Sequence, residues 1–344
     1  MKAWPCLMLL ALVAIVGPGT PARLAQAQGK DPTPDEIAQA AGAPLIGKYA
    51  PPLTFRTLGG QKIDLAKFYG KKPVYLKFWA TWCVPCRLQM PHFENVQRTM
   101  GADMEVIAVD AGFNETPDAV VRYRQTMGLN MPVTIDDGRL ADAFHLRITP
   151  QHIVIGRDGR VLYVGQLADA KLDRALAQAT AEPAAAYSKA DALRPGGLRG
   201  PAPSLKTLTG EPLSLRGGPR PTVVFFFSPW CETYLKSSRP AMAGACLKER
   251  EQASRLASEP GVRWIGVAAG LWATQKDLAA YEHEHALQMP LALDETGAFF
   301  RAFGISDVPS FVVLDRYGHV DARTQSADQA ARAAARLGAA KETL

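Results

Sequence analysis

Phe78-Trp79-Ala80-Thr81-Trp82-Cys83-Val84-Pro85-Cys86 is the stretch on which this chain turns. It joins Val74–Trp79, an apolar run of β-branched and aromatic residues that predicts a strand, to a segment from Val84 to Met100 that predicts a helix kinked at Pro91. Two cysteines three residues apart between a strand and a helix have a chemical use. The first sits at the helix N-terminus, where free N–H groups and the positive dipole end stabilise a thiolate. A low pKa makes it a nucleophile at neutral pH and a good leaving group. The second lies one turn on and resolves the mixed disulfide. Trp82 and Pro85 make the motif far more specific than a bare Cys-x-x-Cys. A zinc site would need another Cys or His pair at ligand spacing, and no such cluster follows, so no metal is expected.

Working outward, Val106–Val109 reads as a strand covered on both faces, followed by a helix near Pro117–Met127. Ile153–Ile155 and Val161–Val164 flank Gly156-Arg157-Asp158-Gly159 as a hairpin, and Ala168–Ala179 closes the unit as a helix. The landmarks then recur. Ala50–Leu58 matches Gly200–Leu208, Phe78–Cys83 matches Phe226–Cys231, and Thr149–Ile155 matches Val308–Leu314, with Asp315–Gly318 as the second hairpin turn. Residues 181–198, rich in Ala, Pro and Gly, read as a linker. Strand, helix, strand, helix and hairpin imply an α/β fold: two tandem domains, 47–180 and 199–340, each a mixed central sheet flanked by helices.

The chain's 344 residues suit two domains, and 47% hydrophobic with 21% charged residues is ordinary globular usage. Disordered, collagen-like and disulfide-knot classes are excluded. A net charge of +6, scattered along the chain, gives no reason to expect nucleic acid. Lys2, the apolar run Leu7–Val16 and Ala25-Gln26-Ala27 have the layout of a signal peptide over residues 1–27, with 28–46 as a lead segment. No later stretch is long enough for a stable membrane span, so the mature chain is expected to be periplasmic or otherwise exported. Of five cysteines, Cys6 leaves with the signal, and Cys83, Cys86, Cys231 and Cys246 remain.

Trp79–Cys86 resembles the active-site segment of exported thioredoxin-like proteins of the TlpA/ResA type, and Pro91 falls where that family has its helix-kinking proline. The resemblance spans nearly the whole mature chain, as two copies. It implies a thioredoxin-like fold and thiol–disulfide exchange with protein substrates on the reducing side, without a cofactor, the pair being re-reduced by a membrane-bound electron donor. It also implies that Thr149 precedes a cis-proline, Pro150, whose loop pairs with a substrate chain as an added strand; Pro309 is its twin. Two positions depart from the pattern. Lys77 stands where thioredoxins carry a buried acid, and Gln89 where TlpA/ResA proteins often have a glutamate. With neither acid present, solvent is the expected proton acceptor for Cys86.

In the second copy Tyr234 replaces the resolving cysteine, and about ten residues are inserted before the next strand. Two readings of its cysteines stand. A Cys231–Cys246 disulfide needs the chain to fold back, with Ser237-Ser238-Arg239-Pro240 as the place for the turn, because one straight helix would hold the two roughly 22 Å apart. Alternatively Cys231 is a lone thiol and Cys246 an apolar filler. His283 and His285 read as a solvated helix face, and His92 and His152 as helix and strand residues, since thiol exchange needs no histidine. The rival function is a non-catalytic copper or haem-pathway chaperone using Cys83 and Cys86 as soft ligands, with the second domain as docking module.

Overall fold

The computed structural model describes residues 31–183, 186–187, 204–215 and 219–339. The expected signal peptide and most of the expected linker lie outside the described residues. Helix α1 (Pro34–Gly42) opens the chain, with Thr33 and Glu36 forming a reciprocal capping box. It packs on β7, introduced below, so closely that a Cβ on Gly42 would lie 2.3 Å from Val164 Cβ. Pro34–Gly42 of the lead segment thus packs on the first sheet. Strands β1 (Thr54–Arg56) and β2 (Lys62–Asp64) form a small antiparallel pair.

The first large sheet comprises β3 (Val74–Trp79), β4 (Glu105–Asp110), β5 (Val133–Ile135), β6 (Gln151–Ile155) and β7 (Val161–Gly165), in the order β5-β4-β3-β6-β7. β3 runs parallel to β4 and antiparallel to β6. All of β3 is buried, because helices cover both faces of the sheet. These are α2 (Val84–Leu88), α3 (Met90–Met100), α4 (Pro117–Met127), α5 (Arg139–Ala143) and α6 (Ala170–Ala181). The helix expected over Val84–Met100 breaks at Gln89. Pro91 lies in the first turn of α3, where a missing N–H costs nothing.

The second sheet repeats the arrangement. β8 (Thr222–Phe227), β9 (Arg263–Ala269), β10 (Leu291–Asp294), β11 (Ser310–Leu314) and β12 (Val320–Thr324) are ordered β10-β9-β8-β11-β12. Around it lie α7 (Cys231–Tyr234), α8 (Pro240–Ala257), α9 (Gln275–His285), α10 (Ala298–Ala302) and α11 (Ala327–Ala339). The expected fold class holds: a mixed α/β architecture with two five-stranded sheets. The residues inserted in the second copy lengthen α8 to 18 residues, against 11 in α3. Both sheets belong to one compact unit beginning at Thr33. No described helix is long and apolar enough to cross a membrane.

Side-chain alternation along β3 sets up the site. Tyr75 and Trp79 join the apolar cluster that includes Phe93, while Val74, Leu76 and Phe78 join the cluster on the other face. Lys77 shares the parity of Tyr75 and Trp79. It therefore lands under α3, with its ammonium nitrogen 5.2 Å from the Phe93 ring centroid.

Candidate active site

Cys83 and Cys86 are joined in a disulfide at the C-terminal end of β3, with 5.2 Å between their Cα atoms. Cys83 is the N-cap of α2, and its Sγ accepts the Cys86 amide N–H at 3.2 Å. A free N–H aimed at this sulfur stabilises negative charge on it once the bond is reduced. The Trp82 indole N–H donates to Phe113 O at 2.8 Å, which holds the approach to the motif. Pro85 lies in the first turn of α2. Thr149 is buried, and the Thr149–Pro150 peptide is cis, as is Val308–Pro309.

Beneath the motif lies a polar chain that sequence reasoning saw only in part. The Lys77 ammonium donates to Gln89 O at 3.1 Å, and Gln89 Oε1 lies 2.8 Å from His152 Nε2. His152 Nδ1 lies 2.7 Å from the Tyr75 hydroxyl, and the Gln89 amide donates to Gln166 O at 3.1 Å. Lys77 and His152 are register partners on β3 and β6. Burial pushes the Lys77 pKa down to about 7, and it pushes His152 well below its usual value, with Lys77 adding to the effect. His152 is a strand residue as expected, but one that ties Gln89 into the site. The signal was available in the repeat: the offsets of the two strands set Lys77 against Phe225 and His152 against Phe311. Those phenylalanines are register partners in the second sheet and stack at 4.9 Å. The fold accommodates an apolar pair at this place, and the first half keeps two bases there.

In the bonded state Cys86 has 0% exposure. So does Cys83. Residues of the second half lie over the motif. The Tyr234 hydroxyl accepts the Val84 N–H at 3.0 Å, so the residue standing in for a resolving cysteine caps the first half's motif. Trp230 lies against Trp82, ring centroids 4.9 Å apart. The Trp272 indole donates to Thr149 Oγ1 at 2.9 Å. Arg239 donates to Thr81 Oγ1 and lies 3.3 Å from the Glu115 carboxylate, which itself accepts the Thr81 N–H at 2.6 Å. Burial raises the Glu115 pKa, and Arg239 and Thr81 oppose the rise. Glu115, Trp272 and Arg239 carry no sequence signature; only the folded chain brings them here.

Cys231 and Cys246 are also bonded, with 6.2 Å between Cα atoms. The chain folds back between α7 and α8, at residues 235–239, which brings the start of one helix beside the second turn of the next. Cys246 Sγ lies 4.0 Å from Val308 O, next to Pro309. Closing a loop of this length constrains the unfolded chain by about 3 kcal/mol. Replacing both cysteines by alanine is therefore expected to lower second-half stability by about that amount, read as a reduced urea midpoint with a steeper slope, because the unfolded chain without the bridge exposes more surface. His283 and His285 sit on α9, and no cluster of metal-ligating residues occurs among the described residues.

Residues 46–164 match the model of the AhpC/TSA family and residues 197–337 that of Redoxin. The chain is 37% identical over 119 residues to thiol-disulfide oxidoreductase ResA of Bacillus thuringiensis (strain Al Hakam), covering 34% of this chain and 67% of that protein. It is 32% identical over 133 residues to the thioredoxin-like protein YneN of Bacillus subtilis (strain 168), covering 38% and 78%. Among solved structures, a thiol:disulfide interchange protein of the thioredoxin family from Chlorobium tepidum TLS is 29% identical, covering 39% of this chain and 96% of that one, with a TM-score of 0.36.

Proposed function

The chain belongs to the TlpA/ResA-type thiol-disulfide oxidoreductases, and from that premise we propose that Cys83 and Cys86 are its catalytic pair, acting on protein disulfides outside the cytoplasm in the reducing direction. The observation that carries this is the Cys83 sulfur at the N-cap of α2, facing the Cys86 N–H. In the reduced protein the Cys83 thiolate attacks one sulfur of a client disulfide and expels the other as a thiolate, which takes up a proton. The Cys86 thiolate then attacks Cys83 Sγ and releases the second client thiol. Two electrons pass to the client, and the pair is left oxidised, the state seen here. Thr149, Pro150, Trp82 and Pro85 support the pair and shape the edge where a client strand docks.

Export rests on the layout of residues 1–27. The electron donor that returns the pair to the dithiol is in this reading membrane-bound, and the Val84-Pro85 pair, which lacks a histidine, suits the reducing side. The test is capture: Cys86→Ala leaves Cys83 to form a mixed disulfide that nothing resolves. Non-reducing gels of the exported fraction are expected to show client adducts that vanish with a further Cys83→Ala change. Copper binding through Cys83 and Cys86 with no adducts would instead support the chaperone reading.

A further inference from the structure

The contacts across the two halves follow a reciprocal pattern. After β9, Trp272 reaches into the proline loop of the first half: its backbone N–H donates to Arg147 O at 3.0 Å, and its indole to Thr149 Oγ1. After β4, Asn114 reaches into the proline loop of the second half: its N–H donates to Ser306 O at 2.9 Å, and its Oδ1 accepts the Val308 N–H at 2.8 Å. Both inserted residues have left-handed backbones, φ 54° at Asn114 and 60° at Trp272. A tryptophan in that region is an outlier held only where its surroundings over-determine it. Ion pairs frame the joint on both sides, Arg301 to Asp142 at 2.6 Å and Arg147 to Glu295 at 3.4 Å.

We propose that the second half is a resident pseudo-client that occupies the docking edge around Cys83 and must withdraw before any protein disulfide is exchanged. This rests on the reading of Cys83 and Cys86 as the redox pair. Exchange requires the Cys83 sulfur to meet a client S–S bond in line, and both cysteines are buried, with Tyr234, Trp230 and Trp272 lying on Val84, Trp82 and Thr149 around them. The contacts have the character of client docking: a main-chain hydrogen bond to the proline loop, a side chain on Thr149, and aromatic rings over the motif. The occupant is covalently attached, so its effective concentration is high, and the apparent affinity for an external client falls by the fraction of molecules that are open. The same cover shields the reduced thiols from adventitious oxidation.

Arg301 and Asp142 lie away from the cysteines and give the test. R301D sets two carboxylates against each other and biases the halves apart, while D142R/R301D restores the pair with its charges exchanged. In the reduced full-length chain, iodoacetamide alkylation of Cys83, read by mass spectrometry, is expected to be at least about tenfold faster in R301D and to return toward wild type in the exchanged variant. Insulin reduction is expected to follow the same order. Tyr234→Phe removes only the hydroxyl on Val84 N, and keeps the test available if R301D fails to fold; its expected gain in alkylation is about threefold. Equal alkylation rates in wild type, R301D and Tyr234→Phe would overturn the proposal. Alkylation that responds while insulin is reduced by none of the variants shows the cover over Cys83 withdrawing but removes the redox reading, and with it the exchange on which the proposal rests.

Discussion

Cys83→Ser is expected to bring the reduction of insulin disulfides down to the buffer rate, while Cys231→Ala/Cys246→Ala keeps exchange at the first pair. The thiolate is the nucleophile and the hydroxyl that replaces it stays protonated, so the N–H aimed at residue 83 has no charge to stabilise. Cys86→Ser differs in kind. It retains attack by Cys83 and forms the mixed disulfide once, then stalls, so a burst stoichiometric with enzyme replaces steady turnover. Stopped-flow measurement on the pre-reduced chain separates the three variants. Turnover surviving in Cys83→Ser and lost in the Cys231 and Cys246 variant would move the nucleophile to the second half, where a buried bridge lies beside Val308 in the place corresponding to the first site.

Lys77→Met is expected to stabilise the fold strongly near neutral pH and to flatten its pH dependence at alkaline pH. Burial lowers the Lys77 pKa from 10.5 to about 7 in the folded protein. Between those values the unfolded chain binds a proton that the native chain does not, so wild-type stability rises with pH across that window. Each pH unit there is worth about 1.4 kcal/mol, and the full penalty for burying the amine is present below about pH 7. Methionine fills similar space without the charge, and the second half, with Phe225 against Phe311, packs apolar side chains at the same place. Urea denaturation of both proteins at pH 7 and pH 9 reads the effect. Parallel curves, with no gain in wild type between the two, would mean that Lys77 does not titrate in this window. His152 acts at lower pH with the same sign. Its folded pKa lies below 6.5, so stability falls as pH drops through the unfolded value.

The polar chain beneath the motif shows how far sequence reading reaches. Lys77 stands out at once, because a charge in a run of β-branched and aromatic residues breaks the pattern of a covered strand. Its partners do not stand out, since Gln89 and His152 are ordinary residues far apart in number. They meet only because β3 pairs antiparallel with β6, placing Lys77 opposite His152, and because the helix breaks at Gln89. The pairing of Cys231 with Cys246 is an intermediate case. Helix rise told how far apart a straight segment would hold them, but whether the chain turns back depends on packing that the sequence does not display.

The strand periods, the Cys-x-x-Cys between strand and helix, the recurrence of landmarks and the loss of the second motif's resolving cysteine are all local. Local pattern is enough to place them, because burial alternates along a strand and a helix start takes a fixed form. The sealing of the Cys83–Cys86 pair is different in kind. It arises from Tyr234 on Val84, Trp272 on Thr149 and Asn114 on Val308, contacts between residues 123 to 194 positions apart. Each joins two surfaces whose complementarity exists only after both sheets have formed. Sequence therefore displayed the Cys-x-x-Cys of the first half, and the tertiary structure alone decided that the second half lies over it.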